Sequence, residues 1–184
     1  MSEEGINVFE IYSKLTELLD LINAALTTVI STKIIEEYGD KGNTELLTEL
    51  YEKYRFDPLR NNVIFGSAYD GWGFTIDDFL PLICKAHGFN PKVLKKVLWG
   101  NYYFNKKTKK VTTKGIDDNH KPMFVDLILK NIYQAYRRIY VKKDENAVAK
   151  MSKKLGFKIP KFILGSLHSD PQLVCKVKII LIYF

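Results

Sequence analysis

Between Asn62 and Phe74 the chain reads Asn-Val-Ile-Phe-Gly-Ser-Ala-Tyr-Asp-Gly-Trp-Gly-Phe, and at its centre Gly66, Ser67 and Ala68 carry almost no side chain. Three small residues in a row let a ligand or another backbone approach the main chain and take hydrogen bonds from its N–H groups. The chemistry on offer is polar recognition without side chains. Residues with reactive side chains are poorly arranged for catalysis. Cys84 and His87 share a helix face at i and i+3, yet His120 and His168 supply no tetrahedral ligand spacing, so a packed thiol and a surface imidazole account for them. Asp77 and Asp78 fall where a helix N-terminus favours negative charge, which explains them without acid–base work. No nucleophile elbow, metalloprotease helix or paired-cysteine motif occurs.

The elements that would hold the small-residue segment follow from its flanks. Val63, Ile64 and Phe65 form a β-branched and aromatic run with no polar member, which predicts a buried strand. Thr75 stands three residues before Asp78 and just ahead of Phe79, Leu80, Leu82 and Ile83, the pattern of a helix N-cap with its reciprocal carboxylate. The expectation is strand, small-residue turn, helix. A plain strand-to-helix connection with a glycine at each tight spot would produce the same pattern.

Upstream, Val8, Ile11, Leu15, Leu18, Ile22, Ala25 and Val29 step by threes and fours without a proline through Glu37, predicting one long amphipathic helix that lies as a core helix against a sheet. A shorter helix is expected from Thr44 to Tyr54, and Asp57-Pro58 closes a turn. Downstream, the helix opened by Thr75 contains Pro81 and ends at Gly88, Asn90-Pro91 starts another that Gly100 terminates, and residues 102–105 and 109–113 form a hairpin around Lys106-Lys107-Thr108. A second long helix spans about Pro122 to Val141, and Asp144 caps a third over Glu145 to Leu155. The end of the chain, from Cys175 to Phe184, has strong β-propensity and little charge, so left unpaired it would be an aggregation site.

Composition bounds the function. At 184 residues with a net charge of +7, the chain has the size and apolar content of a globular unit with one sizeable core. No apolar run reads as long enough to span a bilayer, and Ser2-Glu3-Glu4 is acidic where a signal peptide would be basic. Cys84 and Cys175 are too few for a disulfide framework. The lysines are clustered: Lys92, Lys95 and Lys96 are followed by Lys106, Lys107, Lys109, Lys110 and Lys114 with no acid before Asp117. Such a face attracts phosphate backbones or acidic proteins, and a solvated lysine-rich hairpin would look the same.

Gly66-Ser67-Ala68 resembles the fifth guanine-nucleotide motif of translation-factor GTPases, in which a Ser-Ala pair after a strand offers backbone N–H to the guanine carbonyl. With Asp70-Gly71-Trp72-Gly73-Phe74 and Leu98-Trp99-Gly100-Asn101-Tyr102-Tyr103, it resembles the elongation factor-like GTPases that act in maturation of the large (60S) ribosomal subunit. Elongation factor 2, the ribosomal translocase, is the alternative; its wording has Gly and His where this chain has Ala68 and Asp70. Lys121 to Tyr136, Lys154 to Ile159 and His168-Ser169-Asp170-Pro171 extend the resemblance from Val8 to Pro171, and after Gln172 it fails.

The resemblance implies a predominantly helical α/β fold: the C-terminal part of a P-loop GTPase G domain at residues 1–73, an inserted α+β subdomain with a β-hairpin at 74–161, and a return to the G domain with a divergent tail at 162–184. It implies Gly66, Ser67 and Ala68 as guanine-facing residues and Lys106, Lys107, Lys109 and Lys110 as ribosome contacts. GTP and Mg2+ would serve the intact family member, and GTP hydrolysis would drive release of an anti-association factor. The implied partners are ribosomal RNA, ribosomal proteins and maturation factors in the cytoplasm, with neither membrane nor DNA. Neither the phosphate loop Gly-x-x-x-x-Gly-Lys-Ser/Thr nor the base-selecting Asn-Lys-x-Asp occurs in the chain, and Asn105-Lys106-Lys107-Thr108 imitates only half of the latter. In the family these pieces lie upstream of what is Met1 here. The expectation is therefore no cofactor and no GTP turnover for this chain alone, which leaves a non-catalytic ribosome-binding module as the reading from a different class.

Overall fold

The structure, a computed structural model, describes residues 7–39, 44–117, 120–154 and 158–180. It divides into two compact units, Met1–Val63 and Ile64–Phe184.

The first unit is built on α1 (Val8–Tyr38), opened by the Asn7 side chain accepting from Phe9 N at 3.1 Å and closed by Gly39 at φ +64°. Its polar residues are absorbed locally: Ser13, Thr16, Thr27, Thr28, Ser31 and Thr32 each donate to the carbonyl four residues back. Helix α2 (Thr44–Tyr54) packs on α1, and Asn23 clamps the segment that follows by accepting from Phe56 N and donating to Phe56 O, both at 2.9 Å. The long helix is where periodicity puts it, but its inward face is not. Tyr12, Ile30 and Ile34 are buried, whereas Leu18, Ile22 and Val29 of the expected stripe are exposed, and this unit contains no strand among its described residues. Leu19, Leu26 and Ile30 make the apolar surface almost continuous around the helix, so spacing alone left its orientation undetermined. The most apolar 18 residues of α1 have a mean hydropathy of 1.5, enough by length and composition to cross a membrane, contrary to the reading from uninterrupted apolar runs. Only 11% of that stretch is buried, and within its unit the helix is held by the Asn23 clamp and by α2.

The second unit holds two antiparallel hairpins among helices. Strand β1 (Phe65–Ser67) pairs with β2 (Trp72–Phe74), with Phe65 opposite Phe74 and Ser67 opposite Trp72. Helix α3 (Ile76–His87) follows, opened by a capping box in which Asp78 Oδ2 accepts from Thr75 N (2.6 Å) and Thr75 Oγ1 (2.8 Å), and closed by Gly88 at φ +74°. The helix continues across Pro81. Helix α4 (Pro91–Lys95), capped by Asn90, stops before the expected end at Gly100. Strands β3 (Tyr103–Asn105) and β4 (Lys110–Thr112) form the predicted second hairpin. Helix α5 (Lys130–Tyr136) is continuous with π-helical turns at Val125–Leu129 and Arg137–Val141, realising the expected long helix. Helices α6 (Glu145–Lys154), α7 (Lys161–Gly165) and α8 (Pro171–Ile180) complete the chain. Asp144 caps α6 by accepting from Ala147 N, while the expected end at Leu155 lies outside the described residues.

Two expectations are corrected here. The strand is not 63–65: Ile64 is 68% exposed and pairing begins at Phe65, because the partner strand Trp72–Phe74 reaches only as far as Phe65. The tail is not a strand: α8 runs to Ile180, with Val174 and Cys175 buried against Ile139, Val148, Ile163 and Leu167, so tertiary burial overrides β-propensity. Residues 181–184 lie outside the described residues. The unit is thus mainly helical with two small antiparallel sheets. A second cluster of rings joins the first hairpin to the start of the long helix: Phe65 lies 5.0 Å from Phe124 and 5.3 Å from Trp99, and Phe74 lies 4.9 Å from Phe79.

Candidate functional site

Gly66, Ser67 and Ala68 do not form the small-residue turn between strand and helix that their sequence suggests. Gly66 and Ser67 are strand residues, and Ala68 opens a tight turn that returns through Gly71 at φ +68° to β2. A Cβ on Gly66 would lie 2.3 Å from the carbonyl oxygen of Trp72 and 3.0 Å from Gly73 Cα, so the lack of a side chain there is demanded by the neighbouring strand. Gly66, Ala68 and Tyr69 are exposed and Ser67 is half-buried, so the turn meets solvent along its tip.

What organises the turn is Asp70, which sequence reasoning left out of the site. It is only 4% exposed. Ser67 Oγ donates to Asp70 Oδ2 at 2.8 Å and accepts from Asp70 N at 3.2 Å. Tyr136 OH donates to the same Oδ2, and Tyr140 OH donates to Oδ1 at 2.5 Å. Trp72 Nε1 in turn donates to Tyr136 OH at 2.7 Å, and the two tyrosine rings stack with centroids 5.4 Å apart. Burial works against the Asp70 charge, but hydrogen bonds from Tyr136, Tyr140 and Ser67 and the charge of Lys176 outweigh it and hold the carboxyl below its ordinary pKa. Burial, and then the hydrogen bond to Asp70, pushes both phenols well above theirs. Gln172 Nε2 donates to Tyr69 O at 2.5 Å, so α8 braces the same turn from the other side. The available signal was a lone acid between Tyr69 and Gly71, with two tyrosines one helical turn apart in Tyr136 and Tyr140.

The lysine hairpin is a separate place. The Asn105 side chain accepts from Lys107 N (2.9 Å) and Thr108 N (3.1 Å), so Asn105 to Thr108 is a hairpin turn, as its position in the chain suggested. Lys106 is engaged: its Nζ lies 2.7 Å from Asp126 Oδ2, tying the hairpin to the first π turn. Burial opposes the Asp126 charge, but Lys106 and Lys130 hold its carboxyl below the ordinary value. Lys107, Lys109 and Lys110 point their charge at solvent. His120 fixes the hairpin base, accepting from Ile116 N at Nδ1 and facing Phe104 O at Nε2, 3.1 Å away. Cys84 is half-buried, while His87 is exposed and meets the Phe104 ring edge-on at 5.7 Å. No group of three or more His, Cys, Asp or Glu could hold a metal ion among the described residues.

No protein-family profile matches the chain. Against curated proteins it is 35% identical over 181 residues to human elongation factor-like GTPase 1, covering 89% of this chain and 16% of that protein. It is 33% identical over 159 residues to ribosome assembly protein 1 of Saccharomyces cerevisiae, covering 82% and 14% respectively, and 32% identical over 161 residues to the Schizosaccharomyces pombe protein of that name, covering 86% and 16%. The chain spans about a sixth of the length of these relatives.

Proposed function

As a homologue, over most of its own length, of the elongation factor-like GTPases and ribosome assembly proteins, the chain belongs with them, and we propose that it is a segment of a translational-type GTPase working in ribosome assembly. The observation that carries this is the extent of the match, which reaches 89% of the chain at 35% identity. In this reading the first hairpin turn is the base-recognising part of a guanine site: Ala68 and Ser67 offer main-chain N–H to the purine carbonyl, and the Asp70 network holds that backbone at a fixed angle. Gly66 serves the pairing of the two strands. The intact protein would use GTP and Mg2+, with phosphate and metal held by residues beyond this chain, and would act in the cytoplasm on the large subunit, hydrolysis driving release of an anti-association factor. This chain alone would turn over no GTP.

The test is a transplant. Residues 7–180 replace the matching segment of the human relative, and nucleotide binding by the chimera is measured with GTP and ATP. Guanine binding that survives with discrimination against adenine supports the reading; a folded chimera that binds neither, or both alike, refutes it.

The exposed Lys107, Lys109 and Lys110 favour a second reading in which the hairpin docks on ribosomal RNA without catalysis. Co-sedimentation of the chain with large subunits that weakens with salt and with loss of these lysines supports it, and salt-insensitive co-sedimentation counts against it.

A further inference from the structure

Helix α3, the long helix around α5, α6 and strand β2 flank a half-open groove of about 860 Å3, whose lining includes Trp72 and Tyr136 of the Asp70 network. Its walls are apolar and incompletely covered: Phe79, Leu82 and Ile132 are all half-exposed where they line it. Its charged lining is net positive, three cations against one carboxylate. Arg138, Lys150 and Lys153 line the groove, and no side chain of the three makes an ion pair or hydrogen bond among the described residues. The carboxylate that also lines it, Asp78, has Oδ2 occupied by Thr75 N and Oγ1.

The geometry points to this groove as the docking site of an acidic amphipathic helix from a partner protein. A helix laid between helices supplies apolar residues at i, i+3 or i+4 and i+7 to the floor while its flanks meet the rim. Unpartnered cations beside the trough select carboxylates on those flanks and would repel a basic segment. A phosphate backbone would meet the cations but leave Leu82 and Ile132 facing charge, and a flat bilayer could not reach a concave floor. The groove shares Trp72, Gly73 and Tyr136 with the first hairpin and its Asp70 network, but the side chains that the test changes, Leu82, Lys150 and Lys153, lie on α3 and α6, so docking can fail while the guanine reading stands.

The test uses the whole chain as bait for a display library of helical 16-residue peptides. Enriched peptides are expected to carry a net negative charge and helically spaced apolar residues. They should bind Lys150→Glu/Lys153→Glu at least about tenfold more weakly than the wild type, since two attractive pairs become repulsive ones. Binding to Leu82→Asp, checked for fold by circular dichroism, should be lost. A hairpin control, Lys107→Glu/Lys110→Glu, should bind as the wild type does. Absence of enrichment, enriched peptides without acidic bias, or equal weakening by the hairpin control would each overturn the assignment. Should the Leu82 variant fail to fold, the exposed lysine pair decides the outcome by itself.

Discussion

Replacing Asp70 tests whether a buried carboxylate, and not the small residues beside it, organises the first hairpin. Asp70→Ala leaves the hydroxyls of Ser67, Tyr136 and Tyr140 without their acceptor. A buried donor stripped of its partner costs about 1 to 3 kcal/mol, and half-buried phenols that regain some water fall at the low end. The expected loss is about 3 kcal/mol for alanine. Asp70→Asn keeps an acceptor oxygen but loses the charge and introduces N–H groups facing hydroxyl donors, so it should lose about 1.5 kcal/mol, roughly one charge-assisted hydrogen bond. Urea unfolding followed by tryptophan fluorescence reads both, because Trp72 is bonded to Tyr136. The pH dependence supplies a second readout. Asp70 titrates below its ordinary value in the folded chain, so its contribution is present above the unfolded pKa, near 4, and is lost as the pH falls through the lower folded value. Wild type should therefore lose stability below about pH 4 more steeply than Asp70→Asn. A stability change under about 0.5 kcal/mol for Asp70→Ala, with an unchanged acid slope, would refute the argument.

Gly66→Ala should destabilise the chain by about 1 to 3 kcal/mol in the same unfolding assay, because its Cβ would strike main-chain atoms of the paired strand, which cannot move aside as a side-chain tip can. Tyr136 and Tyr140 carry raised phenol pKa values, so ultraviolet titration should show two tyrosines still un-ionised at a pH that ionises a free phenol; folded stability should fall above about pH 10, where these two release protons in the unfolded chain that the folded chain keeps. Thr75→Ala removes the cap of α3 and should lower stability by about 1 kcal/mol, measured by thermal unfolding. Lys106→Ala should change stability by less than about 1 kcal/mol, since Lys106 is mostly exposed and its bridge to Asp126 is screened by solvent, while lowering any salt-sensitive affinity for large subunits in co-sedimentation.

Local signals settled several helix starts and one stop, though not the end of α4. The Thr75, Asn90 and Asp144 caps and the Gly88 stop are read by nearest-neighbour backbone chemistry and lie where that chemistry puts them, whereas the Asn7 cap and the Gly39 stop of α1 emerged only from the structure. The Asx turn at Asn105 and the long helix through Tyr136 were legible for the same reason, and kinship with the GTPases was legible in short runs of wording such as 62–74, 98–103 and 121–136. Four further features needed the fold. The orientation of α1 depends on which of several apolar stripes a neighbour covers, and spacing does not choose among them. Whether Phe65 to Ser67 pairs with Trp72 to Phe74 depends on strand register, and the same pairing explains Gly66 without any ligand. Asp70 becomes the anchor of its turn only when Tyr136 and Tyr140 arrive from about seventy residues away, and Cys175 becomes helical core only when Ile139 and Val148 lie against it. Caps and turns are decided by atoms a few residues apart, whereas burial and charge are decided by whatever the folded chain brings alongside.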